Sequence, residues 1–495
     1  MRSSPHMRSA RDYPAGRERA QMLWALVLAM LALLLGLADI AHAQQPAERA
    51  AQTQQRTATE VESRARTGSF ALDAEPQAFW QALGDTTLVR LIVAALDANR
   101  DVVAAEARIA AARATRVHTA LDLGPAITAS AGYSRQQLSS ATVPGAGTSL
   151  PDQELWDAGV RLNWELDVFG RTRRSLQGRN ALVDAAEEDV RDVGVTIAAE
   201  VARAYFDLRG LEDRLDVARR NAENQQSSLG LTRDRLDAGS GTALDTERAQ
   251  AQLSSTLAEI PALEASIAAV QHRIAVLLGR SPGEAAVPPG GPTRLELPAQ
   301  LALADPEEAV RRRPDVQSAA SRVAARRAFV SAAKADYLPR IAIGGVAGYT
   351  ANQFDALGNS GTPRYTVGPV ISWPLLDIGR VKTGVDQARA GENEAAAQHQ
   401  QTVLRALEEV ETSLAAYAKA RERLQHLEDA AAASERATDL ARLRFREGGA
   451  DFLEVLDAES RQLAAQDRLA AGRTEATTWL VAVYRAVGGM MLPGR

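Results

Sequence analysis

Apolar and polar residues alternate along the stretch 160–168. The apolar set is Val160, Leu162, Trp164 and Leu166, and the polar set is Arg161, Asn163, Glu165 and Asp167. Strict alternation predicts a strand with one apolar face and one polar face. A strand that spans a membrane, between lipid and a water-filled lumen, needs this pattern over about 9–11 residues. A strand of a soluble antiparallel sheet alternates in the same way, so both interpretations stay open.

A second stretch repeats the first. The segment VGPVISWPLLDIGR, at 367–380, matches VRLNWELDVFGR, at 160–171, when Trp373 is placed on Trp164. The matching residues on the predicted lipid-facing strand are Ile371, Trp373 and Leu375. Two copies of one strand-to-helix junction indicate that the chain is internally duplicated.

Each of these strands follows another predicted strand, which begins at Pro125 in the first copy and at Pro339 in the second. Loops rich in Gly, Ser and Pro separate the two strands of each pair. The sequence therefore predicts β-hairpins at 125–168 and 339–376, each preceded by a helix. Four strands cannot close a barrel, and lipid does not tolerate an open sheet edge. If the sheet enters a membrane, several chains must share one barrel, and three chains would supply twelve strands.

Long helices follow the hairpins. Apolar residues spaced by three and four predict helices at 172–238 and 381–446, each spanning roughly 100 Å at about 1.5 Å per residue. Their narrow apolar stripes call for neighbouring helices along most of their length rather than a globular core. Gly239 and Gly448 end them at the position that favours a left-handed residue, and Thr242 and Asp451 cap helices that return at 243–278 and 452–487.

The chain divides into successive segments. They are a signal peptide at 1–43, an extended N-terminal segment at 44–78, repeat 1 at 79–280, a Pro/Gly linker at 281–304, repeat 2 at 305–489 and a C-terminal tail at 490–495. The signal peptide is predicted from a positive region, an apolar core and an Ala-His-Ala cleavage site.

Composition narrows the classes of function. The net charge of −5 and the lack of a basic patch argue against binding nucleic acid. The chain has no cysteine, so it can form no disulfide, Cys-ligated zinc site or lipid anchor on an N-terminal Cys. The helical segments contain four isolated histidines without metal-ligand spacing, and no nucleophile or phosphate-binding motif occurs. We therefore expect no enzyme, no cofactor and no metal site.

Several motifs together resemble one known family. They are WELDVFGR and WPLLDIGR at the junctions, RRRPDV with the later ADYLP, and DAGSGTALDTERAQ and EGGADFLEVLDAES at the helical turns. With the duplication, they make the chain similar to the outer membrane factors of tripartite efflux pumps and type I secretion systems, the TolC/OprM family. The resemblance implies an α+β membrane protein, a homotrimer of duplicated protomers. It also implies a 12-stranded outer-membrane β-barrel continued by a 12-helix periplasmic α-barrel.

The resemblance also implies site residues. Leu453 and Asp457 match the positions that line the periplasmic aperture of the family, although a lone Asp on a helix is more often simply solvated. The expected docking surface for a periplasmic adaptor is formed by the turn residues Gly239, Ser240, Gly241, Thr242, Gly448, Gly449 and Asp451. These glycines and caps could equally serve only to shape the turns.

The resemblance implies a passive exit duct in the outer membrane of a Gram-negative bacterium. This duct would belong to an RND-type pump that exports drugs or other small molecules. Its expected partners are two further copies, a periplasmic adaptor, an inner-membrane transporter and outer membrane lipid. Two alternatives stay open: a type I secretion channel for polypeptides, and a soluble periplasmic coiled-coil scaffold whose strands form an ordinary sheet.

Overall fold

A computed structural model describes residues 79–80, 83–137, 152–284, 287, 297 and 306–489. All of them belong to the compact unit that begins at Leu72. The predicted signal peptide, the extended N-terminal segment, the C-terminal tail and most of the predicted linker lie outside the described residues.

Each repeat contains two helices, a β-hairpin, a very long helix and a returning helix. Repeat 1 comprises α1 (Thr86–Ala98), α2 (Arg100–Leu121), β1 (Ala126–Gln136), β2 (Gln153–Leu166), α3 (Arg171–Asp237) and α4 (Ala243–Leu277). Repeat 2 comprises α5 (Pro306–Arg312), α6 (Pro314–Ala335), β3 (Arg340–Ala351), β4 (Pro363–Ser372), α7 (Ile378–Arg446) and α8 (Phe452–Ala486). The long and returning helices start and end within three residues of the positions that the sequence predicts.

The single helix predicted before each hairpin is wrong, because both copies are broken. Asn99 separates α1 from α2, and its side-chain oxygen accepts from the backbone N–H of Asp101 at 2.8 Å, which starts a new helix. In the second copy Pro314 forces Arg313 out of the helical region, to φ −59° and ψ 135°.

The residues at the two breaks make hydrogen bonds to the ends of the returning helices. The Asn99 amide donates to the carbonyl of Leu277 at 2.9 Å, and the Arg313 guanidinium donates to the carbonyl of Ala486 at 2.7 Å. Both carbonyls lie at a helix C-terminus, where no further residue of the helix can supply a partner. Each break therefore anchors the last turn of the returning helix in its own repeat.

The four described strands form one antiparallel sheet in the order β1-β2-β3-β4. Residues opposite one another share a face, so the register decides what each face carries. One face is apolar across all four strands: Ile127, Ala129, Ala131 and Tyr133 in β1, Trp156, Val160, Leu162, Trp164 and Leu166 in β2, Ile341, Ile343, Ala347 and Tyr349 in β3, and Tyr365, Val367, Pro369 and Ile371 in β4. The other face carries mostly polar and small residues, with the apolar side chains of Leu155, Val346 and Val370 among them.

Strand β4 is shorter than the sequence predicts. It ends at Ser372, so Trp373 and Leu375 lie just beyond the sheet and not on a strand. Pro374 has no N–H to donate to a neighbouring strand, which explains the early end.

The largest apolar core contains side chains of α1, α3 and α8 and of the residues just before α1. Phe79, Trp80 and Tyr484 form an aromatic group with ring centroids 4.4–4.9 Å apart. Tyr205 of α3 donates its hydroxyl proton to Asp85, at the start of α1, over 2.6 Å. This core therefore joins the start of repeat 1 to the last helix of repeat 2.

Candidate functional site: the sheet and the helical turns

Backbone hydrogen bonds build the turn between α3 and α4. Gly239 adopts φ 74°, in the left-handed region that glycine enters without steric penalty. The amides of Ser240 and Gly241 both donate to the carbonyl of Arg235, each over 2.9 Å, which closes the end of α3. Thr242 then caps α4, its hydroxyl oxygen accepting from a backbone N–H in the first turn.

The turn between α7 and α8 repeats this arrangement with more space. Gly448 adopts φ 75°, the amide of Gly449 donates to the carbonyl of Arg444 over 2.8 Å, and Asp451 caps α8. A Cβ added at Gly449 would meet its nearest neighbour at 3.6 Å, an ordinary contact. A Cβ added at Gly241 would lie 2.9 Å from a backbone nitrogen of α3. Gly241 is therefore the residue of this pair that tolerates a side chain least.

Arg235 joins the two turns. Its guanidinium donates to the backbone carbonyl of Phe445 over 2.8 Å and lies 4.1 Å from the centre of the Phe445 ring. A small apolar cluster surrounds this contact: Ala222, Leu229, Ala249, Leu253, Phe445, Phe452 and Val455. The ends of the two helical hairpins therefore form one packed unit within the chain.

The predicted aperture residues lie on an exposed face of α8. Leu453 is 49% exposed and lies one helical turn before Asp457. The carboxylate of Asp457 pairs with Arg461, one turn further, over 3.0 Å, and the Asp457 side chain is 57% exposed. Both side chains are accessible to a neighbouring molecule, and the charge of Asp457 is balanced by Arg461 on the same helix.

A buried carboxylate lies beside this face. Glu459 is 2% exposed, pairs with Arg442 of α7 over 2.9 Å and accepts from the hydroxyl of Ser228 of α3 over 2.7 Å. It thereby links α3, α7 and α8 at one point. A charge held this far from water needs such partners.

Asp167 forms the junction between β2 and α3. It accepts from the backbone N–H groups of Thr172 and Arg173 over 2.9 and 2.8 Å, in the first turn of α3. Burial alone would raise the pKa of Asp167. The hydrogen bonds from Arg173 and Thr172, together with the Arg173 guanidinium, nevertheless hold that pKa below its usual range.

The two junction tryptophans make the same contact. The indole N–H of Trp164 donates to the carbonyl of Leu123 over 2.9 Å, and that of Trp373 donates to the carbonyl of Tyr337 over 3.1 Å. Both acceptors lie in the turn that leads from a helix into a strand. The tryptophans therefore hold the end of the sheet to the helices in both repeats, although only Trp164 lies on a strand.

The predicted lipid-facing residues of the strands share the apolar face of the sheet. Val160 and Ile371 are exposed, and Leu162, Trp164 and Leu166 are half-buried. Among the described helices, α4 is long and apolar enough to cross a membrane, by length and composition only. No group of His, Cys, Asp and Glu in the described part of the chain could hold a metal ion.

Comparison with known proteins decides the family. The family model described as "Outer membrane efflux protein" matches residues 91–280 and 306–489, one segment in each repeat. The chain belongs to this family. The resemblance noted from the motifs is thereby confirmed, and the protein is a protein of the outer membrane. The alternative of a soluble periplasmic scaffold is wrong.

Relatives of this outer membrane efflux protein include OprJ, an outer membrane protein of Pseudomonas aeruginosa. The two are 30% identical over 412 residues, which cover 83% of this chain and 86% of OprJ. The pyoverdine export outer membrane protein OpmQ of Pseudomonas putida is 29% identical, over 86% of this chain and 90% of its own length.

Solved structures of channels share the fold of this outer membrane efflux protein. The outer-membrane channel OprN is 39% identical, with a TM-score of 0.78 over 85% of this chain and 94% of its own length. The open state of the Neisseria gonorrhoeae channel MtrE is 25% identical, with a TM-score of 0.73 over 81% of this chain and 88% of its own length.

Two residues of this efflux protein that sequence reasoning missed are Arg235 and Glu459. Each lies among polar residues of a helix, as a solvated side chain would, so nothing in the nearby sequence distinguishes it from a surface residue. The presence of an Arg in the last turn of α3 fits a helix C-terminus, but its partner belongs to the other repeat. The structure brings together the ends of the two hairpins that carry the predicted turns.

Proposed function

We propose that three copies of this chain form a closed twelve-stranded barrel, continued by a tube of twelve helices. In this assembly the protein is the passive exit duct of a tripartite, RND-type efflux pump. The observation that carries the proposal is the open sheet, whose apolar face is continuous from β1 to β4. The outer edges of its two end strands, β1 and β4, are not paired with any described strand. Within lipid such edges must be paired, and the strands of one chain are too few to close on themselves.

Helix α4 supports the tube. Its most apolar 18-residue window is only 11% buried, and Leu244, Leu257 and Val276 are exposed. An exposed apolar helix face calls for a partner. A neighbouring copy would supply one along the length of the hairpin.

The barrel is tested with two matched lysine substitutions. Val160→Lys places a charge on the apolar face of β2, and Thr366→Lys places the same charge on the polar face of β4. The first should cost about 2–4 kcal/mol against lipid, and the second should cost little against a wet lumen. We expect Thr366→Lys trimers to be extracted by detergent from the outer membrane at the wild-type level, and Val160→Lys trimers to be depleted. Equal trimer yields from the two variants, or extraction of the wild-type protein as a monomer, would contradict the shared barrel.

We propose that Leu453 and Asp457 of the three chains surround the periplasmic aperture. Both side chains are exposed on one face of α8, near the end of the tube. Three carboxylates around one axis would attract cations. Replacing both residues with Ala should raise the basal conductance of trimers in a planar bilayer, whereas Glu435→Ala, on the exposed surface of α7, should not. Intact double-variant trimers with unchanged conductance would count against an aperture at this position.

We propose that the helical turns dock a periplasmic adaptor, which connects the duct to an inner-membrane transporter. Ser240 is exposed at the end of the α3–α4 turn, and its position tolerates a side chain better than Gly241. Ser240→Trp should abolish pump-dependent resistance while leaving the trimer intact. Ser227→Trp, on the exposed surface of α3, is the matched control. Full resistance with Ser240→Trp would refute docking at this turn.

The proposed cargo is small molecules. The names of relatives refer to pyoverdine export and to toluene and antibiotic efflux. These names favour small-molecule efflux over polypeptide secretion for this chain. Uptake and efflux of a fluorescent dye, in cells with and without the gene, would test this cargo class.

A further inference from the structure

The polar face of the sheet is nearly bare in its middle. Most of its central positions are occupied by small side chains or by glycine: Thr128, Ser130 and Gly132 in β1, Gly159 in β2, Gly344 and Gly348 in β3, and Thr366 and Gly368 in β4. The larger side chains there are Val346, which is apolar, and Arg161, which is charged. Arg161 lies in the middle of β2, opposite Thr128 on one side and Val346 on the other, and it is exposed.

Close backbone packing keeps the surface beside Arg161 flat. A Cβ at Gly159 would lie 2.7 Å from the carbonyl oxygen of Ala347, and a Cβ at Gly348 would lie 2.3 Å from that of Ala158. Real Cβ atoms do not approach backbone atoms so closely. The glycines beside Arg161 therefore cannot be replaced by a residue that would shield its side chain, unless the strands move apart.

The other charges on the polar face are neutralised in pairs toward its two ends. These pairs are Arg364 with Asp157 over 3.0 Å, Arg171 with Glu165 over 3.0 Å, and Arg340 with Asp336 over 2.7 Å. Arg161 forms no ion pair or hydrogen bond with any residue in the described part of the chain. Each chain therefore presents one unbalanced positive charge in the middle of this face.

Distance prevents the neighbouring acids from neutralising this charge. Asp157 and Glu165 are each four residues away along β2, about 13 Å at about 3.3 Å per residue. This separation exceeds the Debye length of about 8 Å at physiological ionic strength. Both acids also already have an arginine partner.

We propose that Arg161 and its counterparts in two further copies form a ring of positive charge inside the barrel, which binds polyvalent oxyanions on their way out. The inference rests on the proposed trimeric duct, in which the polar face lines the lumen. A guanidinium donates several hydrogen bonds in a planar array that matches sulfonate, phosphate and carboxylate groups. The flat glycine surface beside it leaves room for a large solute. Arg161 thus favours anionic solutes in the barrel, while Asp457 favours cations at the other end of the duct.

The test uses 1,3,6,8-pyrenetetrasulfonate, a fluorescent tetraanion, with trimers purified in a neutral detergent. Its binding is followed by fluorescence anisotropy at about 20 mM salt, where screening is weak. We expect Arg161→Gln to weaken binding by about tenfold or more, and Arg161→Lys to keep most of it, because the charge is retained. Raising the salt tenfold should weaken wild-type binding and leave the residual binding of Arg161→Gln nearly unchanged.

The control is Arg135→Gln, which removes the same charge at the loop end of β1 on the opposite, apolar face of the sheet, where Arg135 is paired with Asp152. We expect wild-type binding in this variant. Unchanged binding in Arg161→Gln, or an equal loss in both variants, would overturn the role of Arg161. The same preparations are tested for conductance in a bilayer. Conducting wild-type trimers with unchanged binding in Arg161→Gln would refute this inference alone, whereas wild-type protein that neither trimerises nor conducts would refute the duct and the ring together.

Discussion

Replacing Gly210 with alanine should loosen the contact between α3 of repeat 1 and α8 of repeat 2. Gly210 is buried in α3 and faces Thr474 of α8. A Cβ at this position would lie 1.8 Å from the Thr474 hydroxyl oxygen and 2.9 Å from the Thr474 Cβ. Rotation of the threonine would move its hydroxyl away but would leave its Cβ in place. The two helices must therefore move apart to admit the methyl group.

The magnitude follows from two opposing effects. Alanine is favoured over glycine in a helix interior by about 1 kcal/mol. Overpacking of a close contact costs about 1–3 kcal/mol. Gly230 is the matched control, because it lies in the same helix and an added Cβ would meet nothing within 4 Å. Gly230→Ala should therefore stabilise the protein by about 1 kcal/mol, and the difference between the two variants isolates the packing cost, about 1–3 kcal/mol.

The assay is thermal unfolding of both variants in one detergent, followed by circular dichroism at a helix wavelength. We expect Gly230→Ala to melt above wild type, and Gly210→Ala to melt below Gly230→Ala by a few degrees. Hydrogen exchange should accelerate in α3 and α8 near Gly210 and not near Gly230. If Gly210→Ala melts at or above Gly230→Ala, the close approach of α3 and α8 at this position is refuted.

Three further substitutions test other contacts. Glu459→Gln leaves Arg442 without its carboxylate, and the melting temperature should fall by an amount equivalent to about 1–3 kcal/mol; an unchanged value would refute the buried pair. Asp167→Ala should destabilise the start of α3 by about 1 kcal/mol at pH 7. Because the pKa of Asp167 is lowered in the folded protein, this stabilisation is present above the ordinary pKa of Asp. It is lost as pH falls through the lowered pKa, so the melting curves of variant and wild type should converge at acid pH, below the ordinary pKa of Asp, and a constant difference would contradict the assignment. Trp164→Phe removes the hydrogen bond to the carbonyl of Leu123 and keeps an aromatic ring, so it should lower the free energy of unfolding by about 0.5–1.5 kcal/mol. An unchanged free energy of unfolding would show that the indole N–H is solvated instead.

The sequence by itself determined the elements whose signals are local. The alternation of apolar and polar residues predicted the strand that carries Trp164, and apolar residues spaced by three and four predicted α3 and α7. Glycine followed by a capping residue marked both helical turns, because a left-handed residue and a cap act within one turn of chain. The duplicated junction motifs also sufficed to predict the family, which the comparison with known proteins confirmed.

Only the tertiary structure decided the contacts between distant residues. The Asn99 break depends on a carbonyl of α4, and the buried state of Glu459 depends on Ser228 and Arg442 from two other helices. An Asn or a Glu within a polar helix face carries no local signal for such partners, because each partner is supplied by a separate part of the chain. The balance of charge on the sheet likewise depends on the tertiary structure. Strand pairing brings Arg364 of β4 to Asp157 of β2, and the start of α3 brings Arg171 to Glu165, whereas Arg161 has no ion-pair partner among the described residues.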